Sequence, residues 1–227
     1  MKVLFVGDGA HDVGKPETRF HEVPWIALGG VVPHLARKVV PGIREDSLAL
    51  TWGDLARLSA VQGSGRVKDY ARKVGFAVTI AARRYGCDAV VAVVDRDGEK
   101  SRLVEAEAIA KAIYEVPTVY GVAIESIEAW TLGSRTALAV HVGVGLPALH
   151  GHYPHSRVEE FYATSGKAEL RSKEILARVA GLCHQRDSLA FREAVAQATD
   201  VAELERACPR GFGPFAAALR GLSVVRA

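Results

Sequence analysis

Several things are scarce in this chain. Its 227 residues hold only three cysteines, Cys87, Cys183 and Cys208, an odd number spread far apart. That excludes a disulfide framework and a cysteine zinc site. No uninterrupted apolar run approaches the roughly 20 residues of a membrane span, so no membrane partner is expected. There is no internal repeat and no low-complexity tract, which excludes solenoids and tethers. The opening Met1-Lys-Val-Leu-Phe-Val is too short an apolar run for a signal peptide, and Gly7-Asp8 follows it at once. It is read as the first strand of a cytoplasmic protein.

What is present is ordinary for a globule: 49% hydrophobic and 24% charged residues, with a net charge of +3. The length suits one large α/β domain, or one domain with a helical annex. The mild basicity permits contact with nucleic acid without requiring it.

The most informative stretch runs from Asp88 through Ala-Val-Val-Ala-Val-Val to Asp95-Arg96-Asp97-Gly98. A Val and Ala run of this length reads as a strand buried on both faces. It ends in two carboxylates one residue apart, then a glycine that lets the chain turn. In open α/β sheets, chemistry sits at the carboxyl ends of strands. Asp95 and Asp97 form a hard-oxygen pair suited to Mg²⁺ or Mn²⁺. A solvated acidic turn accounts for the same residues.

Three more strands are predicted, over Lys2–Val6, Ser47–Trp52 and Thr118–Ile124. A broken helix is expected between Glu17 and Lys38. Arg66–Tyr85 reads as an amphipathic helix with Tyr70, Val74, Val78, Ala81 and Tyr85 inward. Another runs from Ser101 to about Glu115, with Leu103, Val104, Ile109 and Ile113 for the core. A helix is expected to open directly from Glu125. The Gly-, Pro- and His-rich stretch from His141 to Pro154 reads as a loop, and Glu159 onward as helices. Alternating strands and helices imply a mainly parallel sheet. The expected fold is therefore α/β and Rossmann-like, a mainly parallel sheet flanked by helices. Residues 1–140 form the catalytic domain and 141–227 a helical C-terminal extension packed on it.

A parallel sheet brings its carboxyl ends to one edge. Asp8 and Asp12, Asp95 and Asp97, and Glu125 and Glu128 would converge there. Their repulsion is costly without a cation, because like charges in one cleft disfavour ionisation. A divalent metal relieves that cost and matches phosphoryl-transfer chemistry. For Glu125 and Glu128 a simpler account stands beside it: acids in a helix's first turn are favoured by the macrodipole.

These residues resemble the Toprim domain of topoisomerases, primases and overcoming-lysogenization-defect nucleases. They are similar, more closely, to an uncharacterised Toprim-like family. The resemblance is carried by Val-Val-Asp95-Arg-Asp97-Gly98, by Ile124-Glu125-Ser-Ile-Glu128-Ala-Trp130, and by Glu203-Leu-Glu-Arg-Ala-Cys208-Pro-Arg-Gly-Phe212-Gly-Pro-Phe215. It implies a Mg²⁺- or Mn²⁺-dependent nuclease with Asp8, Asp95 and Asp97 as metal ligands and Asp12, Glu125 and Glu128 in catalytic support. It also implies an ATPase partner in anti-phage defence or mobile-element loci. The family carries Glu-Gly where this chain has Asp8-Gly9. The shorter acid still reaches a metal but weakens acid/base work.

Other features were weighed. Gly7-Asp-Gly9 does not fit the dinucleotide-binding spacing, because the third glycine comes too late. The segment from His34 to Gly86 holds ten Lys/Arg against four Asp/Glu. Arg66, Lys68, Arg72, Lys73, Arg83 and Arg84 on its long helix are candidates for a phosphate backbone; a solvated helix face is the alternative. His141, His150, His152 and His155 shape a loop, with no acid or cysteine at zinc spacing. Trp130, Phe212 and Phe215 read as core anchors. No nucleophilic Tyr or Ser stands out, so hydrolysis is expected rather than covalent topoisomerase chemistry. The alternative is a non-catalytic subunit of the same fold that binds nucleic acid or an ATPase. A homodimer is compatible with either.

Overall fold

A computed structural model describes residues 1–15, 24–61, 70–96, 99, 101–153, 158–160 and 171–224. Among these residues five strands form one sheet: β1 Val3–Gly7, β2 Trp25–Ile26, β3 Leu48–Thr51, β4 Ala89–Asp95 and β5 Thr118–Ala123. Their order is β2-β3-β1-β4-β5. β1 is parallel to both β3 and β4, and β4 is parallel to β5. Only the edge pair β2–β3 is antiparallel. The α/β class and mainly parallel sheet expected from the sequence are present. The four expected strands lie within one or two residues of their predicted bounds.

Val and Ala dominate β4, and its first six residues are buried. A strand covered on both faces has no use for alternation. Tyr70, Phe76 and the buried Val74, Val78 and Ala81 of α4 (Tyr70–Arg84), with Tyr85 just after it, join the main core cluster. Beyond β4, α5 (Ser101–Lys111) leads to β5. Its Leu103 and Ala106 pack with Val94, Val122 and Ile124, and Tyr70 and Tyr120 join them. Side chains alternate across a strand, so Gly121 faces the other side. There it lies against α12 (Phe212–Val224): a Cβ at Gly121 would come 2.6 Å from the Phe215 ring. Phe215 stacks on Trp130 at 5.2 Å, and Phe212 meets Trp130 edge-on at 5.3 Å. The three anchors read from the sequence are thus one buried aromatic cluster.

Several expectations need correction. β2 was not foreseen; two residues carry no periodicity, and only pairing with β3 makes them a strand. The helix expected between Glu17 and Lys38 is confined, among the described residues, to α2 (Val31–Val39). Val104 and Ile113 are exposed rather than core, at 69% and 100%. The stretch from His141 to Pro154 is not a loop throughout. It contains the end of α7 (Arg135–Val142) and all of α8 (Leu146–His150). The helix after β5, α6 (Glu128–Gly133), starts three residues later than expected.

After α6 to α8 the described chain is helical: α9 Ser172–Gly181, α10 Leu189–Ala198, α11 Val201–Ala207, then α12. Ser188 caps α10 by accepting from the Phe191 N–H, and Asp200 caps α11 by accepting from Glu203. These helices share one hydrophobic cluster with the sheet.

Gly30, just before α2, makes the tightest backbone approach. Its φ is +91°, and a Cβ there would collide with the Gly14 nitrogen and come 2.5 Å from the Val13 carbonyl carbon. Its N–H donates to Glu193 of α10 at 2.6 Å. Gly30→Ala should therefore lower stability by about 2–3 kcal/mol, through strain and a forced shift of α1 (Ala10–Val13). Urea unfolding checks this; an unchanged midpoint would show that the two backbones separate freely.

Candidate active site at the carboxyl edge of the sheet

The strand order places a switch point beside β1. From β1 the chain builds outward to β3 on one side, then crosses to β4 on the other. Clefts in open α/β sheets form where neighbouring connections diverge this way. Asp8 follows β1 and Asp95 ends β4, so the two acids face each other across that point. The Asp8 carboxylate accepts a hydrogen bond from the Asp95 N–H at 2.9 Å. A cleft of about 460 Å³ opens there, lined by Asp8, His11, Asp12, Asp95, Glu128 and Lys173, among others.

Each acid is held by local backbone. Asp12 lies in the first turn of α1 and accepts from the Gly9 N–H at 2.9 Å. Asp95 accepts from the Ile127 N–H at 2.8 Å, tying β4 to the turn before α6. Glu128 is buried at the start of α6. Its Oε1 meets Arg192 of α10 at 2.7 Å, while Oε2 is buried with no hydrogen-bond partner among the described residues. Arg192, itself only 4% exposed, also forms a two-pronged pair with Asp187 at 2.5 and 2.6 Å.

The electrostatics follow. Burial raises Asp95 most, then the neighbouring charges of Asp12, Glu128 and Asp8, to about 8. Burial likewise raises Asp12, to about 6, against the Gly9 hydrogen bond that lowers it. Burial would raise Glu128 too, but the Arg192 charge and the Ser126 hydroxyl overcome it, leaving Glu128 below its ordinary value. Lys173 lies 3.7 Å from Asp95, but its side chain is 54% exposed and screened by water. Arg192 is committed to Glu128 and Asp187. Among the described residues, Asp12 and Asp95 thus have no close, buried cation of their own.

The six acids divide. Asp8, Asp12, Asp95 and Glu128 come together. Asp97 lies outside the described residues. Glu125 does not line the cleft. It sits at φ +62°, a strained value for a non-glycine residue, and accepts from Ser172 at 2.7 Å. Among the described residues, no three His, Cys, Asp or Glu side chains are gathered as a finished metal cage. The donor set itself is hard carboxylate oxygen with surplus proton affinity and one orphaned buried oxygen. That chemistry fits Mg²⁺ or Mn²⁺, with Asp8 and Asp95 the described residues best placed to hold it.

The basic candidates divide too. Arg66 and Lys68 lie outside the described residues. Tyr70, at the start of α4, is within the electrostatic reach of Asp8, so Arg72 and Lys73 sit toward the cleft. The end of α4 turns directly into the start of β4, where Asp88 donates to Lys2 at 2.7 Å. Fifteen helical residues span about 20 Å. Arg83 and Arg84 therefore lie toward the opposite edge of the sheet. Arg83 pairs with Glu115 at 2.6 Å, and Arg84 stacks on Tyr85 at 5.4 Å.

Sequence reasoning missed His11, Lys15, Lys173, Arg192 and Asp187. Lys173 and Arg192 come from α9 and α10, far along the chain from Asp95 and Glu128. No spacing rule links such positions. His11 adjoins Asp12, but a single histidine in a Gly-rich stretch has no spacing that marks it.

No protein-family model, no curated protein and no solved structure matches this chain.

The pH dependence of stability follows from the raised acids. Glu159 belongs with them: burial pushes it up to about 7, although backbone N–H groups of Arg210, Gly211 and Phe212 pull it down. A carboxyl raised on folding contributes stability that is complete below its unfolded value. That stability is lost as pH climbs through the folded value. In EDTA the melting temperature should fall steadily between about pH 5 and pH 9. A flat profile over that window would mean these acids are not buried in solution.

Proposed function

We propose that this protein is a metal-dependent phosphodiester hydrolase of Toprim type acting on DNA or RNA. The observation that carries this reading is the joining of Asp8 to Asp95 across the switch point, with buried Asp12 and Glu128 beside them. Asp8, Asp95 and Asp97 hold Mg²⁺ or Mn²⁺ in this reading. When bound, the ion supplies electrophilic assistance at phosphorus and favours ionised water. The chain's own residues do the rest. The Ile127 N–H and Lys173 orient the two oxygens of Asp95. Lys173 reaches the cleft from a solvated position, suited to a non-bridging phosphate oxygen. Arg192 holds Glu128 in its ionised form at the back of the site. Ser172 fixes Glu125 from the same turn that delivers Lys173, so the C-terminal helices complete the site. The resemblance adds an ATPase partner and a role in anti-phage defence. No described helix is long and apolar enough to cross a membrane.

A second reading is favoured by one feature. An oxygen of Asp8 is already occupied by the Asp95 backbone, and Arg192 already neutralises Glu128. A non-catalytic subunit of this fold, binding nucleic acid or an ATPase, would look the same. The deciding experiment assays cleavage of single- and double-stranded DNA, RNA and tRNA with Mg²⁺ or Mn²⁺. Cleavage that disappears in Asp95→Asn and Asp97→Asn supports the hydrolase. Cleavage that persists in both removes it. Binding without cleavage, under any metal, selects the subunit.

A further inference from the structure

The two oxygens of Asp95 are touched from different parts of the chain. The Ile127 N–H donates to Oδ1 at 2.8 Å, and the Lys173 ammonium lies 3.7 Å from Oδ2. A hydrogen bond set back from the cleft joins those parts: the Ser172 hydroxyl donates to Glu125 Oε2 at 2.7 Å. Glu125 stands two residues before Ile127, and Ser172 stands one before Lys173. The bond therefore links the backbone that carries one neighbour of Asp95 to the backbone that carries the other. The turn it holds also serves a second acid. Ser126 is only 4% exposed, and its hydroxyl bonds Glu128. Residues 125–128 thus hold Asp95 through a main-chain N–H and Glu128 through a side chain.

Glu125 enters this turn at φ +62°, where a residue with a Cβ is strained and glycine is not. Such strain persists only where the surroundings over-determine the conformation. Ser172 is part of that determination. It is 1% exposed, and its buried hydroxyl would lose this acceptor if Glu125 turned away. Glycine would enter the turn without strain but would offer Ser172 no carboxylate. The body of α9 needs no such bond, because Ile175, Leu176 and Val179 bury it in the core. The bond acts at the first turn of α9, where Lys173 departs.

We propose that Glu125 and Ser172 are positioning residues: their hydrogen bond locks the turn before α6 to the start of α9 and so holds the Asp95 carboxylate in one orientation for a divalent cation. The assignment rests on the metal-dependent reading of the cleft. It adds a layer behind the ligands, in which neither residue touches the ion.

The test uses the full chain and two readouts: Mn²⁺ affinity by titration calorimetry, and amide hydrogen exchange at Ile127 in EDTA. Ser172→Ala should weaken Mn²⁺ binding by about 10- to 100-fold. It should also speed Ile127 exchange by about 2- to 10-fold. Glu125→Gly should do the same with little change in melting temperature, because relief of strain offsets the lost bond. A merely structural role predicts the reverse for that variant, lower stability at unchanged affinity. Glu125→Gln keeps an oxygen for the Ser172 hydroxyl and should bind Mn²⁺ like wild type. That outcome separates a hydrogen-bond acceptor from a charge or a metal ligand. Normal Mn²⁺ affinity in both Ser172→Ala and Glu125→Gly overturns the proposal. So does a loss in Glu125→Gln as large as in Glu125→Gly. Should Ser172→Ala not fold, the pair of Glu125 variants decides. The two readings fail separately. Wild-type protein that binds no Mn²⁺, with Ile127 exchange still quickened in Ser172→Ala, removes the metal reading and keeps the clamp on Asp95. Mn²⁺-dependent cleavage, with affinity and exchange unaltered in Ser172→Ala and Glu125→Gly, removes the clamp and keeps the hydrolase.

Discussion

Asp95→Asn is expected to abolish cleavage and, at alkaline pH, to stabilise the fold. The two effects have one origin. Asp95 is a buried carboxylate facing Asp12, Glu128 and Asp8, with its folded value near 8. Above that pH the folded protein carries a charge its surroundings oppose. Asparagine keeps an oxygen for the Ile127 N–H and removes the charge. The loss of Lys173 as a partner matters little, because that side chain is half in water. The shift corresponds to a gain on the order of 2 kcal/mol once its residual exposure is discounted, and to about 4–8 °C in melting temperature. The gain should vanish below about pH 4, where Asp95 is protonated in both folded and unfolded chains. Activity should move the other way. Removing a carboxylate ligand from the proposed metal set should cut kcat/KM by about 100-fold or more. Thermal melts of both proteins across pH, with cleavage assays on the same samples, test the pair of outcomes. An Asn variant that melts lower than wild type at alkaline pH would show that Asp95 is well compensated and not poised for a cation. Unimpaired cleavage would remove Asp95 from the chemistry altogether.

Arg192→Met should have the largest effect on stability. Arg192 binds Glu128 and Asp187 together, and all three side chains are at least 86% buried. Methionine fills a similar volume but leaves two carboxylates with no counter-charge. Breaking a buried pair from one side costs about 3–5 kcal/mol, or about 10 °C for a chain of this size. Adding Glu128→Gln and Asp187→Asn to Arg192→Met should recover at least half of the loss, because no orphaned charge then remains. Urea denaturation of the single and triple variants gives both numbers. A single variant within about 0.5 kcal/mol of wild type would mean that water reaches these groups. The same substitution should also raise Glu128 toward its burial-dominated value and change the cleft's charge.

How much was legible differs from residue to residue. Asp8 and Asp95 were readable because a parallel sheet sends the ends of apolar runs to one edge, whatever the register. Asp12 followed because the turn after the first strand carries it to the same edge as Asp8. Trp130, Phe212 and Phe215 were readable as core anchors, and only the structure makes them one cluster. Glu125 was expected among the converging acids, but in the turn before α6 it takes a positive φ and accepts from Ser172 instead of lining the cleft. The start of α6 depends on the same turn. Val104 and Ile113 were misassigned because helical spacing marks a face without saying whether anything covers it. Arg83 and Arg84 were grouped with Arg72 and Lys73 by composition. The length of α4 separates them.

The amino-acid order alone determined the α/β class, the parallel strands and the set of acids available at their ends. Those properties come from local preferences: β-branched runs, helical periodicity and the turn after each strand. Tertiary structure alone decided which acids meet, that Lys173 and Arg192 arrive among them, and that Arg102 lies over the Tyr70 ring. Such contacts join positions dozens of residues apart, and only packing of the helices onto the sheet brings them within a few ångströms.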